Sequence, residues 1–136
     1  MYLLDTDVLS NLLRRTPSIA LIIKLASVPP EQQFTSSITL GELVYGAQRL
    51  PDRTDILLER LYKTLLPNLP VLPFDVAAAR RYGEVRAALE RHGTPLGDAD
   101  LRIAAIALAR GLAIVTGNVR HFQRIPELKI ENWLEE

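Results

Sequence analysis

The chain has no cysteine. Disulfides, thiolate chemistry and a cysteine-based zinc site are therefore excluded. A chain without cysteine suits a reducing compartment, and the expectation is a cytoplasmic protein. Lysine is nearly absent too: Lys24, Lys63 and Lys129 are the only ones, so arginine supplies almost all the positive charge. There is no surplus of either sign, with 16 basic residues against 16 acidic ones. Tight, sequence-independent nucleic-acid binding usually needs a basic excess, so any such contact must come from local separation of charge. Apolar runs are interrupted well before the roughly 18 residues a membrane span requires. The opening Met1-Tyr2-Leu3-Leu4-Asp5 has no basic leader and places an acid inside the apolar stretch, unlike a signal peptide.

What is present is the composition of an ordinary globular protein, 48% hydrophobic and 24% charged over 136 residues. That length buries a core without staples and predicts one domain spanning residues 1–136. No repeat or low-complexity segment divides it. Tyr2–Leu4, Phe34–Ser37, Val71–Phe74, Ala113–Thr116 and Leu128–Ile130 read as short strands. Helices are expected between them. One covers about residues 8–14. The next starts at Thr16-Pro17 with the stripe Ile19, Ile22, Ile23 and Ala26, Pro17 taking the first helical position. Thr39 opens a third, and Pro51-Asp52 breaks the chain before a fourth that runs through Leu65. Asp75 caps a long helix with Ala78, Tyr82, Val85 and Leu89 on its inner face. Asp98 is expected to cap a helix, apolar nearly all round, that Gly111 closes. Strands alternating with helices imply a three-layer α/β/α fold around a mostly parallel sheet. Ligands of such sheets bind beyond the carboxyl ends of the strands.

Three acids fall at that edge. Asp5 ends the first strand, Glu42 lies early in the helix after the second, and Asp100 lies in the first turn of the buried helix. Each has an ordinary explanation beside the functional one. Glu42 completes Thr39-x-x-Glu42, the pattern of a capping box. Asp100 suits the positive end of its helix. Asp5 has no cap to make within its own strand, although it can cap the helix that follows. If the three converge, two carboxylates about 5 Å apart repel by roughly 3 kcal/mol at an effective dielectric near 20. Either a carboxyl takes a proton or a cation joins them. With no cysteine and two histidines, the oxygen donors suit Mg²⁺, with Mn²⁺ as the substitute, better than zinc. Of the histidines, His92 at a helix end reads as a surface residue and His121 as a possible substrate neighbour. Trp133 reads as a packing anchor. Leu12, Leu13, Leu57 and Leu58 read as exposed apolar residues fit for an interface.

Four blocks resemble the motifs of PIN domains, in order and at matching spacing: Tyr2-Leu3-Leu4-Asp5-Thr6-Asp7, Ser37-Ile38-Thr39-Leu40-Gly41-Glu42-Leu43, Gly97-Asp98-Ala99-Asp100-Leu101-Arg102-Ile103-Ala104-Ala105, and Val115-Thr116-Gly117-Asn118 with Ile130-Glu131-Asn132-Trp133 after it. The resemblance covers essentially the whole chain and is nearest to the VapC group, toxins of type II toxin–antitoxin pairs. It implies a PIN-like fold and a Mg²⁺-dependent endoribonuclease, with Asp5, Glu42 and Asp100 as catalytic metal ligands. Asp98 is not carried over. Asn118 stands where many PIN domains have a fourth acid, which favours either a contact to a metal-bound water or substrate, or a PIN fold that works only through its partner. Thr6, Asp7 and Thr116 would orient the acids or meet substrate, and Arg102 and Arg120 would contact phosphate. RNA, a cognate antitoxin and a second copy of the chain are the implied partners. A receiver-like signalling domain needs a phosphorylatable aspartate after a middle strand, a part Asp75 could take. It also needs a lysine after a late strand, and none lies near Thr116.

Overall fold

A computed structural model describes residues 1–135. Five strands, β1 (Tyr2–Leu4), β2 (Gln33–Ser36), β3 (Val71–Leu72), β4 (Ala113–Val115) and β5 (Ile130–Glu131), form one sheet in the order β3-β2-β1-β4-β5. Every pairing is parallel, with Leu3 opposite Phe34 on one side and Ile114 on the other. The chain builds outward from β1 in one direction, then crosses back to lay β4 on its other side. The boundary between β1 and β4 is thus the topological switch point, where open parallel sheets leave a crevice.

The helices are α1 (Thr6–Leu12), α2 (Ile19–Ser27), α3 (Ser37–Gln48), α4 (Thr54–Arg60), α5 (Val76–Arg91), α6 (Asp98–Arg110) and α7 (Val119–Phe122). Alternation along the strands assigns the two faces. Leu3 and Ile114 face a core built from Val85 and Leu89 of α5 and from Ile103, Ile106 and Ala107 of α6. Leu4 and Val115 face the opposite core, with Val8 and Leu9 of α1, Leu21 of α2 and Leu43 of α3. The three-layer α/β/α expectation holds. Gly111 closes α6 at φ 66° in the left-handed region, and Leu112 N–H reaches back to the Ala107 carbonyl at 2.9 Å, which satisfies a terminal carbonyl. Trp133 is an anchor as expected, 3% exposed and edge-to-face with Tyr2 at 5.0 Å.

Several local expectations are corrected. Asp5 caps α1, so that helix begins at Thr6. Ser18, not Thr16-Pro17, caps α2 through a bond from Leu21 N–H. This turns Leu21, Leu25 and Val28 inward and leaves Ile19 and Ile23 exposed. α4 ends at Arg60 and runs on as a π-helical turn over 61–65. Leu12, Leu13 and Leu58 pack against the core rather than standing free. Strands β2, β3 and β5 are shorter than, or displaced by a residue or two from, the segments read in the sequence. Among the described residues, no helix is long and apolar enough to cross a membrane.

Candidate active site

Asp5 stands at the switch point, at the carboxyl end of β1. It is the first residue past β1, its backbone N–H still pairing with the Val115 carbonyl at 2.9 Å, and it is 2% exposed. Its two oxygens are held separately. Oδ1 accepts from Thr6 N–H at 2.8 Å, and Oδ2 accepts from the Thr116 hydroxyl at 2.8 Å. Those two bonds favour the ionised form, but they are outweighed. Burial pushes the Asp5 carboxyl up to about 7, and neighbouring Asp7 and Asp100 add to the rise.

Glu42 reaches the same edge by another route. Ser36, at the end of β2, caps α3 by accepting from Thr39 N–H at 3.0 Å. The capping box read into Thr39-x-x-Glu42 does not exist: the helix starts earlier, and Glu42 falls in its second turn. Its carboxylate is free of capping and accepts from the Thr6 hydroxyl at 2.6 Å, with the Thr39 hydroxyl 3.1 Å from that of Thr6. Thr6 thus joins two acids, Asp5 by its backbone and Glu42 by its side chain.

On the β4 side, Thr116 is wholly buried. Its oxygen also accepts from Asn118 N–H at 2.9 Å. Asp7, expected to orient Asp5, instead accepts from Gly117 N–H at 2.8 Å, with a longer contact to Thr116 at 3.4 Å. Gly117 is a site residue that the motif reading passed over. A Cβ there would stand 2.8 Å from Asp7 Oδ2 and 2.9 Å from Leu134 Cδ1. The signal was a glycine two residues past β4, next to Thr116.

Asp98 and Asp100 separate in space. Gly97 is the N-cap of α6 and makes no side-chain cap, so Asp98 does not cap the helix. Its carboxylate instead accepts from the Tyr82 hydroxyl and from Arg102 at 2.7 Å. Arg102 is committed there, its guanidinium also lying over the rings of Phe74 and Tyr82 at 5.2 and 5.1 Å. Asp100 meets His121, whose Nδ1 is 3.4 Å away. His92 bonds the Ala88 carbonyl on the surface, as expected.

Among the described residues, no lysine or arginine pairs with Asp5, Asp7, Glu42 or Asp100. Nor do any three acidic or histidine side chains stand together as a ready cage for an ion. Of the expected trio, Glu42 is linked to Asp5 through Thr6, and the Asp100 charge adds the smallest part to the rise at Asp5. In charge and in donor chemistry these residues still fit a hard divalent cation, because a buried carboxyl beside two acids lacks a counter-charge, and the acids offer oxygen ligands.

Fold and site together define an α/β protein with an acidic, oxygen-rich edge at the switch point of a parallel sheet. The PIN domain model matches residues 2–128. The chain belongs to the PIN-domain family, in its VapC-like branch. It is 38% identical to the tRNA(fMet)-specific endonuclease VapC of Salmonella typhimurium, over 97% of each chain. It is 35% identical to Toxin FitB of Neisseria gonorrhoeae, over 90% of this chain and 91% of that one. The crystal structure of VapBC2 from Rickettsia felis, bound to a DNA fragment from its promoter, superimposes with a TM-score of 0.88 at 31% identity, covering 97% and 98% of the two chains.

Proposed function

We propose that this protein is a Mg²⁺-dependent endoribonuclease, with Mn²⁺ able to substitute, and that it acts in the cytoplasm as the toxin of a type II toxin–antitoxin pair. The observation that carries the reading is the Asp5 carboxyl: buried, raised by Asp7 and Asp100, and bonded only to neutral donors. Such a group needs either a proton or a divalent ion. The names of the relatives, an endonuclease and a toxin, supply the substrate class and the biological role. The VapBC2 complex supports an antitoxin as partner.

Asp5 and Asp100 would hold the ion, with Glu42 completing its shell. Bound there, it would supply a water of lowered pKa and offset the charge of the attacked phosphate. The protein's own part is positional. Thr6 and Thr116 fix Asp5 in one orientation from opposite sides, and burial keeps bulk water from its carboxyl. Glu42 is anchored through Oε1, which leaves Oε2 to accept a proton from an attacking water. RNA would be read as a loop or single strand, whose bases are open to side chains.

A PIN fold that acts only through its partner is the second reading. Asn118 in place of an acid and the absence of a ready-made cage among the described residues favour it. The deciding experiment incubates purified, antitoxin-free protein with a broad set of structured RNAs and Mn²⁺. Cleavage that EDTA and Asp5→Asn both abolish is the expected result. No cleavage with any divalent ion would overturn the nuclease and leave the partner-dependent fold.

A further inference from the structure

Three depressions compete as the place where a substrate extends beyond the acids. One, of about 630 Å³, lies between α2 and the chain around Trp133 and is walled by Ile19 and Ile23. None of its walls is bonded to a site acid. A second, of about 300 Å³, runs between α1, α3 and α4 and reaches Glu42; it is lined by leucines and by Arg14, Arg49 and Arg53, and it carries no carboxamide or imidazole. The third, of about 480 Å³, opens between α7 and the segment after β5, and its walls are Gly117, Asn118, Arg120, His121 and Asn132, with Val119 and the acid Glu135 beside them.

This third cleft adjoins the site acids. Gly117 N–H is bonded to Asp7, and His121 Nδ1 lies 3.4 Å from Asp100 Oδ2, so two of its walls stand beside acids of the site. Its chemistry differs from the other two. Two carboxamides, an imidazole, a guanidinium and the Glu135 carboxylate share a volume within the roughly 300–1,000 Å³ range of small-molecule sites. Carboxamides pair with the donor–acceptor edges of bases. An imidazole stacks on an unpaired base, and a guanidinium takes a phosphate. Asn132 is already oriented, its Oδ1 accepting from Leu134 N–H at 2.9 Å, which leaves its amide hydrogens unspent. Asn118 is exposed, and its side-chain amide makes no hydrogen bond among the described residues. The His121 imidazole is half exposed, on the Asp100 side of the cleft.

We propose that this cleft is a nucleotide subsite, holding the ribonucleotide next to the phosphate that lies at Asp5 and Asp100. Asn118 and Asn132 meet its base edge, His121 its base face and Arg120 its backbone phosphate. The choice of a ribonucleotide rests on the nuclease reading above. The subsite would make cleavage selective for the base beside the cut, and the residues responsible lie outside the acidic set.

The test measures binding without chemistry. Short fluorescein-labelled single-stranded homo-oligoribonucleotides of A, C and U are titrated into the full chain in EDTA, followed by anisotropy. The wild-type protein is expected to discriminate among the bases. Asn118→Ala should bring the three dissociation constants together. His121→Ala should weaken all of them about fivefold or more, as loss of a stacking partner does. Arg120→Ala should weaken all three alike and reduce the slope of log affinity against log salt by about 0.7. Arg80→Ala, which removes the same charge from the exposed surface of α5, should change nothing. If the three cleft variants bind as the wild type does, or the wild type binds none of the oligonucleotides, the proposal is overturned. Cleavage in Mn²⁺ is scored separately. Oligonucleotides bound through this cleft but never cut would sink the nuclease and spare the subsite. RNA cut equally well by all three variants, with unaltered binding, would do the reverse.

Discussion

The Thr116 hydroxyl donates to Asp5 Oδ2 at 2.8 Å across 111 residues of chain. It fastens the end of β4 to the end of β1 at the switch point, and the same oxygen receives Asn118 N–H at 2.9 Å. Thr116→Val keeps the shape but removes both bonds within a buried setting. The expected cost is about 1–3 kcal/mol in urea denaturation, with a loss of RNA cleavage because Asp5 is no longer held. Thr116→Ser should recover most of both. A valine variant as active as the wild type would show that this bond does not position Asp5.

Asp5 makes stability fall as pH rises. Folded, it keeps its proton up to about 7, whereas the unfolded chain releases it near 3.8. Between those values the native state binds more protons, so its contribution is complete below the lower one and is lost as pH climbs through the upper. The upper bound on the effect is roughly 4 kcal/mol. Metal-free protein should therefore melt at lower temperature at pH 8 than at pH 5, and Asp5→Asn should flatten that difference. Added Mg²⁺ should raise the melting temperature of the wild type at pH 8 but not that of Asp5→Asn. A wild-type profile flat between pH 5 and 8 would refute the assignment.

Glu42→Gln separates structure from chemistry. Glutamine can still accept from the Thr6 hydroxyl, the bond now 2.6 Å long, so stability should stay within about 0.5 kcal/mol. Without a basic carboxylate, the cleavage rate should fall by about 10²-fold or more. Initial rates measured beside a denaturation curve check both halves.

Gly117→Ala drives a methyl group into Asp7 Oδ2 and Leu134 Cδ1, at 2.8 and 2.9 Å. Asp7 cannot swing away freely because it is bonded to the backbone N–H of the substituted residue. The expected penalty is about 1–3 kcal/mol, read by urea denaturation, together with reduced cleavage as the β4 loop shifts. A variant of unchanged stability would mean that the loop yields without cost.

Asp98 and Asp100 sit two residues apart but should respond differently. Asp98→Asn disturbs an exposed set formed with Tyr82 and Arg102, and cleavage should remain within about twofold of wild type, since the acids at Asp5 are untouched. Asp100→Asn removes a carboxylate that acts on Asp5, and cleavage should drop about 10²-fold or more. Comparable losses from both would place the site differently.

The layer architecture was legible in the sequence because it depends on local periodicity. Tyr2–Leu4 and Ala113–Val115 are too apolar to face water, Val85 and Leu89 mark the inner face of α5, and Gly111 ends α6 where only a residue tolerant of positive φ is comfortable. Asp5, Glu42 and Asp100 were legible as motif residues at strand and helix ends. The tertiary structure decided the order β3-β2-β1-β4-β5, since short apolar strands of similar composition do not encode their partners. It decided the inward face of α2 as well: Ile19, Ile22 and Ile23 are as apolar as Leu21, Leu25 and Val28, and only the neighbouring surface chooses between them. It also directed Asp7 to Gly117 and Thr6 to Glu42. Those bonds join segments far apart in the chain, and a hydroxyl or carboxylate finds such a partner only after the backbone has brought it within about 3 Å.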